Sequence, residues 1–140
     1  MHINIQQLKP SSTSLDIENH QFTDTEIDAI LQYPRLLGLS FKAWILTDQH
    51  FEKIAQLPKV VNLSFEHTQI SDQAITHLAQ IQSLNYLFIT HSTLNGEGFK
   101  AFAQHQKLDC IWVRDTQVND LTVQHFLNIP KLSTLLLHNT

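Results

Sequence analysis

Cysteine is nearly absent from this sequence, and the single one, Cys110, excludes an internal disulfide framework and any zinc site built on paired cysteines. Glycine is almost as scarce: three among 140 residues leave no material for a phosphate cradle or a dinucleotide fingerprint, and neither motif occurs. Charge is sparse as well. Asp, Glu, Lys and Arg make up 16% of the chain, and nine cations against thirteen acids give a net charge of -4, the wrong sign for a protein that must neutralise phosphates. No apolar run approaches the roughly 20 residues needed to cross a bilayer, and the stretch from Met1 to Pro10 has neither the cationic start nor the apolar run of a signal peptide. The expectation is a soluble, cytoplasmic protein with no nucleic-acid or membrane partner. An apolar content of 42% over this length is enough for one continuous core and one domain, 1–140.

What the chain does have is a strict period. Asp24, Asp48, Asp72, Gly96 and Asp120 stand 24 residues apart, with no insertion or deletion between them. In that frame the columns Leu36/Val60/Leu84/Leu108/Leu132, Leu39/Leu63/Leu87/Ile111/Leu135 and Phe41/Phe65/Ile89/Val113/Leu137 are apolar throughout. So are Phe22/Leu46/Ile70/Leu94/Val118, Ile27/Phe51/Ile75/Phe99/Val123, Ile30/Ile54/Leu78/Phe102/Phe126 and Leu31/Ala55/Ala79/Ala103/Leu127. One such column would arise by chance roughly once in seventy or eighty, so seven of them define five repeats over 22–140.

Each repeat reads as a short strand followed by a helix. Leu87 and Ile89 are two apart, the parity of a strand with one buried face. Ile75, Leu78 and Ala79 have the i, i+3, i+4 spacing of one helical face. Asp48, Asp72 and Asp120 stand where a carboxylate would cap a helix N-terminus, and Thr23-Asp24-Thr25-Glu26 has capping-box spacing. Asn95-Gly96-Glu97-Gly98 lacks the acidic cap, which makes the helix of repeat four the least stable. Pro34, Pro58 and Pro130 stop helices before the next strand. Moving the strand columns back by one period gives Leu15 and Ile17, so 1–21 is expected to be an N-terminal cap. It would hold a degenerate strand from Ser14 to His20 and an antiparallel strand from Met1 to Leu8, where Ile3 and Ile5 alternate.

The spacing Leu84-x-x-Leu87-x-Ile89-x-x-Ser92, repeated as Leu108-x-x-Ile111-x-Val113-x-x-Thr116, resembles the leucine-rich repeat. It is similar to the small bacterial variety in which Thr or Ser replaces the usual Asn ladder: Thr68, Ser92, Thr116 and Thr140, with Trp44 the exception. The resemblance covers Phe22 to Thr140. It implies an α/β solenoid with a parallel sheet on the concave face and helices on the convex face. It carries little about function, because such repeats serve many kinds of binding.

A search for chemistry narrows quickly. Cys110 falls on a strand without identifiable oxyanion donors, so it reads as a free thiol rather than a nucleophile. His50, His77, His105 and His125 lie in the helical halves at scattered phases and read as solvated or edge residues. One column gathers ligand-type residues: Ala43, His67, His91, Asp115 and Asn139. Stacked repeats bring its members to about 4.8 Å spacing, so His67, His91 and Asp115 should be neighbours, with Glu66 beside them. A metal-binding or pH-sensing site there is one alternative; two neutral histidines in an interaction surface is the other.

Parity also maps the solvent face. If Leu39 and Phe41 point inward, the columns Gly38/Asn62/Tyr86/Cys110/Thr134, Ser40/Ser64/Phe88/Trp112/Leu136 and Lys42/Glu66/Thr90/Arg114/His138 point outward. Tyr86, Phe88, Trp112 and Leu136 then form one exposed patch, flanked by Arg114, Asp115, Glu66, His67 and His91. Patches of this kind are uncommon on monomers, and Trp, Tyr and Arg dominate binding hot spots. The expectation is a non-catalytic, cofactor-free protein-binding module, and its size and acidity suit an immunity or antitoxin-type inhibitor that sequesters another protein, a basic toxin or effector. A structural unit that self-associates through its C-terminal edge strand is a further alternative, because Leu132, Leu135 and Leu137 lack a capping repeat.

Overall fold

The computed structural model describes residues 12–18, 23–42 and 45–140. Strands and helices alternate: β1 (Ser14–Glu18), α1 (Asp24–Leu31), β2 (Gly38–Lys42), α2 (Asp48–Ile54), β3 (Asn62–Glu66), α3 (Asp72–Leu78), β4 (Tyr86–Thr90), a 3-10 turn (Glu97–Phe102), β5 (Cys110–Arg114), α4 (Val123–Leu127) and β6 (Thr134–His138). The strands form one six-stranded, all-parallel sheet in chain order. Every pairing joins a residue to the one 24 positions later, from Leu15 with Leu39 at one end of the sheet to Val113 with Leu137 at the other. The fold is therefore a mixed α/β array of repeated strand–helix units. The antiparallel strand expected at Met1–Leu8, the His20 end of the degenerate strand, Phe22, Ala43 and Trp44 lie outside the described residues.

One face of the sheet is buried under the helical layer. Leu39, Leu63, Leu87 and Ile111 are 2% exposed or less, as are Phe41, Phe65, Ile89 and Val113. The helical columns meet them from the other side, with Ile27, Phe51, Ile75 and Phe99 in one row and Ile30, Ile54, Leu78, Phe102 and Phe126 in the next. Aromatic rings meet along the array: Phe41 stacks on Phe65 at 5.4 Å and near parallel, and Phe99 packs tilted against Phe126 at 4.3 Å. Each such side chain gains roughly 1.5–3 kcal/mol from leaving water, which is why a register slip is not tolerated.

The first helix starts at the expected capping box, Thr23 with Glu26, whereas the caps of α2 and α3 lie one residue before the expected Asp48 and Asp72. Thr23, Thr47 and Ser71 are the N-caps, each accepting the N–H of the third helical residue, while Asp24, Asp48 and Asp72 are already helical. The hydroxyl is the shorter acceptor and already meets the orphan N–H. This frees each carboxylate to reach the following repeat. Asp24 Oδ1 lies 3.2 Å from His50 Nε2, Asp48 Oδ1 accepts from Ser71 Oγ at 2.7 Å, and Asp72 accepts the backbone N–H groups of Asn95, Gly96 and Gly98 at 2.8–3.0 Å. Asp120 caps nothing, since α4 starts only after Thr122, whose side chain makes no cap bond to the helix.

Repeat four departs as its sequence suggests. Gly96 sits at φ 100 without a side-chain cap, and the helix tightens into a 3-10 turn. A Cβ at Gly98 would lie 2.8 Å from Ile75 Cβ and run into the Asp72 carbonyl, so glycine lets this segment close against α3.

Two histidines that the sequence pattern places in solvent are buried instead, His50 at 5% and His105 at 3% exposure. His105 Nδ1 accepts the N–H groups of Lys107 and Leu108, which puts its proton on Nε2, 2.8 Å from the Ile81 carbonyl. His50 Nδ1 accepts from the Thr47 N–H, so His50 completes the capping box of its own helix and its other nitrogen faces Asp24. Both rings satisfy backbone groups inside the fold.

Leu87→Ala should lose about 2–5 kcal/mol in denaturant unfolding, while Phe88→Ala, one residue away on the other face, should lose far less; equal large losses would contradict the face assignment. Gly98→Ala should cost about 1–3 kcal/mol by overpacking against α3, and an unchanged unfolding midpoint would show that this approach is not tight.

Candidate functional site

The opposite face of the sheet carries no helical layer among the described residues, and its composition changes along the array. On β2 and β3 the outward residues are small or polar: Gly38, Ser40, Asn62 and Ser64. In the central outward row β4 to β6 carry bulky side chains instead, Phe88 paired to Trp112 and Trp112 to Leu136 in register, with Tyr86 beside Phe88 on β4. Trp112 is 40% exposed, Tyr86 38% and Leu136 48%; Phe88 is partly buried because Trp112 meets it edge-on, ring centres 6.1 Å apart. This geometry is the favoured one for two aromatic quadrupoles, so the two rings form one platform.

The step between small and bulky columns creates two open troughs on either side of Phe88. One, of about 390 Å³, is floored by Gly38, Ser40 and Ser64 and walled by Tyr86 and Phe88. The other, of about 260 Å³, is lined by Glu66, Phe88, Thr90, His91, Trp112 and Arg114. Ser40, Ser64 and Gly38 are not among the site residues that the sequence singles out. Their signal is present in it: a column that runs small, small, bulky, bulky on one sheet face must leave a hollow at the change.

The polar flank follows the turn that leaves each strand. His67, His91, Asp115 and Asn139 all have positive φ, between 50 and 55. Each of the first three donates its N–H to the last strand residue of the next repeat: Thr90, Arg114 and His138 respectively. The left-handed conformation is costly for most side chains, and Asn, Asp and His are the non-glycine residues most often found in it. The turn thus accounts for the residue types in this column without a ligand.

The column is as closely packed as the period implies. The His67 and His91 rings stack at 3.8 Å, and His91 Nε2 lies 3.1 Å from Asp115 Oδ2. Arg114 Nε is also 3.1 Å from Asp115 Oδ2, and Asn139 Nδ2 donates to Asp115 Oδ1 at 2.9 Å. Glu66 lies 3.9 Å from His67 Nε2 and 3.9 Å from Lys42 Nζ. Stacked rings present their faces rather than converging nitrogens, and among the described residues no group of three His, Cys, Asp or Glu side chains is arranged to hold a metal ion. All nine residues singled out from the sequence, Tyr86, Phe88, Trp112, Leu136, Arg114, Asp115, Glu66, His67 and His91, fall on this face or its turn edge.

Two ionisable groups on this face have shifted properties. The Asn139 amide holds the Asp115 carboxyl below its usual range against the opposing effect of desolvation, with His91 and Arg114 adding to the lowering. Burial pushes the Cys110 thiol up, and Asp109 adds to it, so the thiolate is scarcer than for a free cysteine, the opposite of nucleophile activation. No described helix is long and apolar enough to cross a membrane.

Because the folded Asp115 binds its proton less tightly than the unfolded one, its contribution to stability is complete above the ordinary carboxylate pKa. It is lost as pH falls through the lowered folded value. Asn139→Ala should move the Asp115 carboxyl titration, followed by NMR, back up toward the ordinary range; an unmoved titration would mean that the amide is not the main cause.

No protein-family model matches the chain, and no curated protein matches it.

Proposed function

We propose that the chain is a leucine-rich-repeat solenoid whose open sheet face is its concave wall, and that this wall binds another protein without catalysis. The observation that carries the reading is the exposure of Tyr86, Trp112 and Leu136 on three adjoining strands, with Phe88 edge-on to Trp112. Rings of this kind offer about 150–250 Å² each for burial and are the residues that concentrate binding energy. Arg114, Asp115, Glu66, His67 and His91 border the patch on one side, the composition of a polar rim. Open troughs flanking a rigid platform suit protruding side chains of a protein partner better than a small molecule, which favours an enclosed pocket. With a net charge of -4, a basic partner is favoured, and sequestration of a toxin or effector in the manner of an immunity protein is the form of this reading that fits a compact binder without a catalytic centre.

Affinity capture from the source lysate with the wild-type chain as bait, and the Trp112→Ala/Phe88→Ala double variant as control, tests the proposal. For the partner so captured, Trp112→Ala alone should weaken binding by about 2 kcal/mol or more with little change in folding stability. Unchanged affinity in a folded double variant would move the site elsewhere on the chain.

A further inference from the structure

The two troughs beside Phe88 differ in charge. The smaller is lined by both Glu66 and Arg114, so it has no preference of sign. The larger, of about 390 Å³, has one charged side chain in its lining, Asp16 of β1, and no cation.

Asp16 stands in the same outward row as Ser40, Ser64 and Phe88, each paired in register to the next. Its side chain is exposed and makes no hydrogen bond or ion pair with any described residue. The carboxylates at the polar flank are placed differently: Asp115 is held by Asn139, His91 and Arg114, and Glu66 faces Lys42. On the trough floor the Ser40 and Ser64 hydroxyls also have no hydrogen-bond partner among the described residues. Packing does not demand so small a floor. A Cβ at Gly38 would meet Ser14 Cβ at 3.6 Å, an ordinary contact.

A hollow with an unpaired carboxylate at one end and aromatic rings at the other selects its occupant by sign, length and donor count. The carboxylate, with no cation in the lining to answer it, is complementary to positive charge. Asp16 and Phe88 are three strands apart, on the order of 14 Å between chain axes, so the occupant is a long side chain, apolar along its stem and cationic at its tip. An imidazolium or an α-ammonium is too short. The acceptors at the far end are two carboxylate oxygens and two hydroxyls. A guanidinium presents five donors in a fixed fork and binds a carboxylate through two parallel bonds, whereas an ammonium has three donors and is more strongly hydrated in an open trough.

We infer that this trough receives an arginine side chain of the protein partner, with its guanidinium on Asp16 and the serine hydroxyls and its methylene stem against Tyr86 and Phe88. The partner is the one proposed above for this face, so the assignment rests on that reading. It makes the preference for a basic partner the property of one contact rather than of net charge alone.

The probe is acetyl-Gly-Arg-Gly-amide, titrated into the isotope-labelled full chain. The backbone amide signals of Ser40, Ser64 and Tyr86 should move together along one saturating curve in the millimolar range. The citrulline peptide, which keeps the shape and loses the charge, should bind about tenfold more weakly, and the lysine peptide should also be weaker. Asp16→Asn should weaken the arginine peptide by about tenfold while leaving the unfolding midpoint in place, because the carboxylate has no partner in the fold. Glu66→Gln, in the other trough, should leave its affinity unchanged. Absent shifts, shifts centred on Glu66 and Arg114, or equal affinity for the citrulline or lysine peptide or in Asp16→Asn overturn the inference. The reading of the face is judged separately: a captured partner that is lost with Trp112→Ala/Phe88→Ala but binds Asp16→Asn undiminished keeps the face and removes the arginine from it.

Discussion

The whole structure depends on parallel strand pairing at a fixed offset of 24 residues. Because each residue on a strand meets the residue one period later, the identity of a column decides what is packed on what. An apolar column becomes a continuous ridge of core, and an insertion of one residue would turn a strand's inward row to solvent. The same offset recruits the Asp column. With a hydroxyl at the cap, the carboxylate beside it is free to reach the next repeat, so helix initiation in one unit is tied to its neighbour. Stability in such an array is carried mainly by contacts between adjacent units.

The column His67, His91, Asp115, Asn139 shows how a backbone demand can imitate a functional motif. Two histidines and a carboxylate in a row invite a metal, yet the row lies where the chain turns out of each strand with positive φ. That conformation costs an ordinary side chain roughly 1–2 kcal/mol, and the residues that tolerate it best are those found here. The ring stack and the His91–Asp115–Arg114 contacts then follow from the period, which lays like positions side by side.

Strand register, the buried columns and the solvent-facing rows are legible in the sequence because each is a consequence of period and parity alone. The N-caps of α2 and α3 are displaced by one residue from the expected Asp48 and Asp72, since Thr47 and Asp48 are both good caps and spacing does not choose between neighbours, while the capping box at Thr23 names its cap outright. His105 is buried where a solvated residue is expected, although its column carries the signal. Tyr33, Leu57, Ile81 and Ile129 occupy the equivalent positions, and a polar residue in an apolar column is buried with partners rather than solvated. His50 has a weaker signal, standing in line with Ala74, Gly98 and Thr122, and its role depends on Thr47 and Asp24 being within reach together. The troughs beside Phe88 require side-chain volumes on adjacent strands, which a pattern of apolar and polar letters does not record.

The repeat supplies an internal control for the open face. Aromatic residues favour strands, so their presence on β4 and β5 could reflect strand formation alone. Yet β2 and β3 have the same length, register and neighbours on the core side, and they carry Gly38, Ser40, Asn62 and Ser64 at the equivalent positions. Strand geometry therefore makes no demand for a large ring at these columns. Nor does the core, because Phe88, Trp112 and Leu136 point away from it. Residues that neither the pairing nor the packing requires, gathered in one row of one face, expose apolar area at a cost in solubility. That cost is offset only if something covers them, and the protein partner proposed for this face is the covering that the chemistry of the row fits.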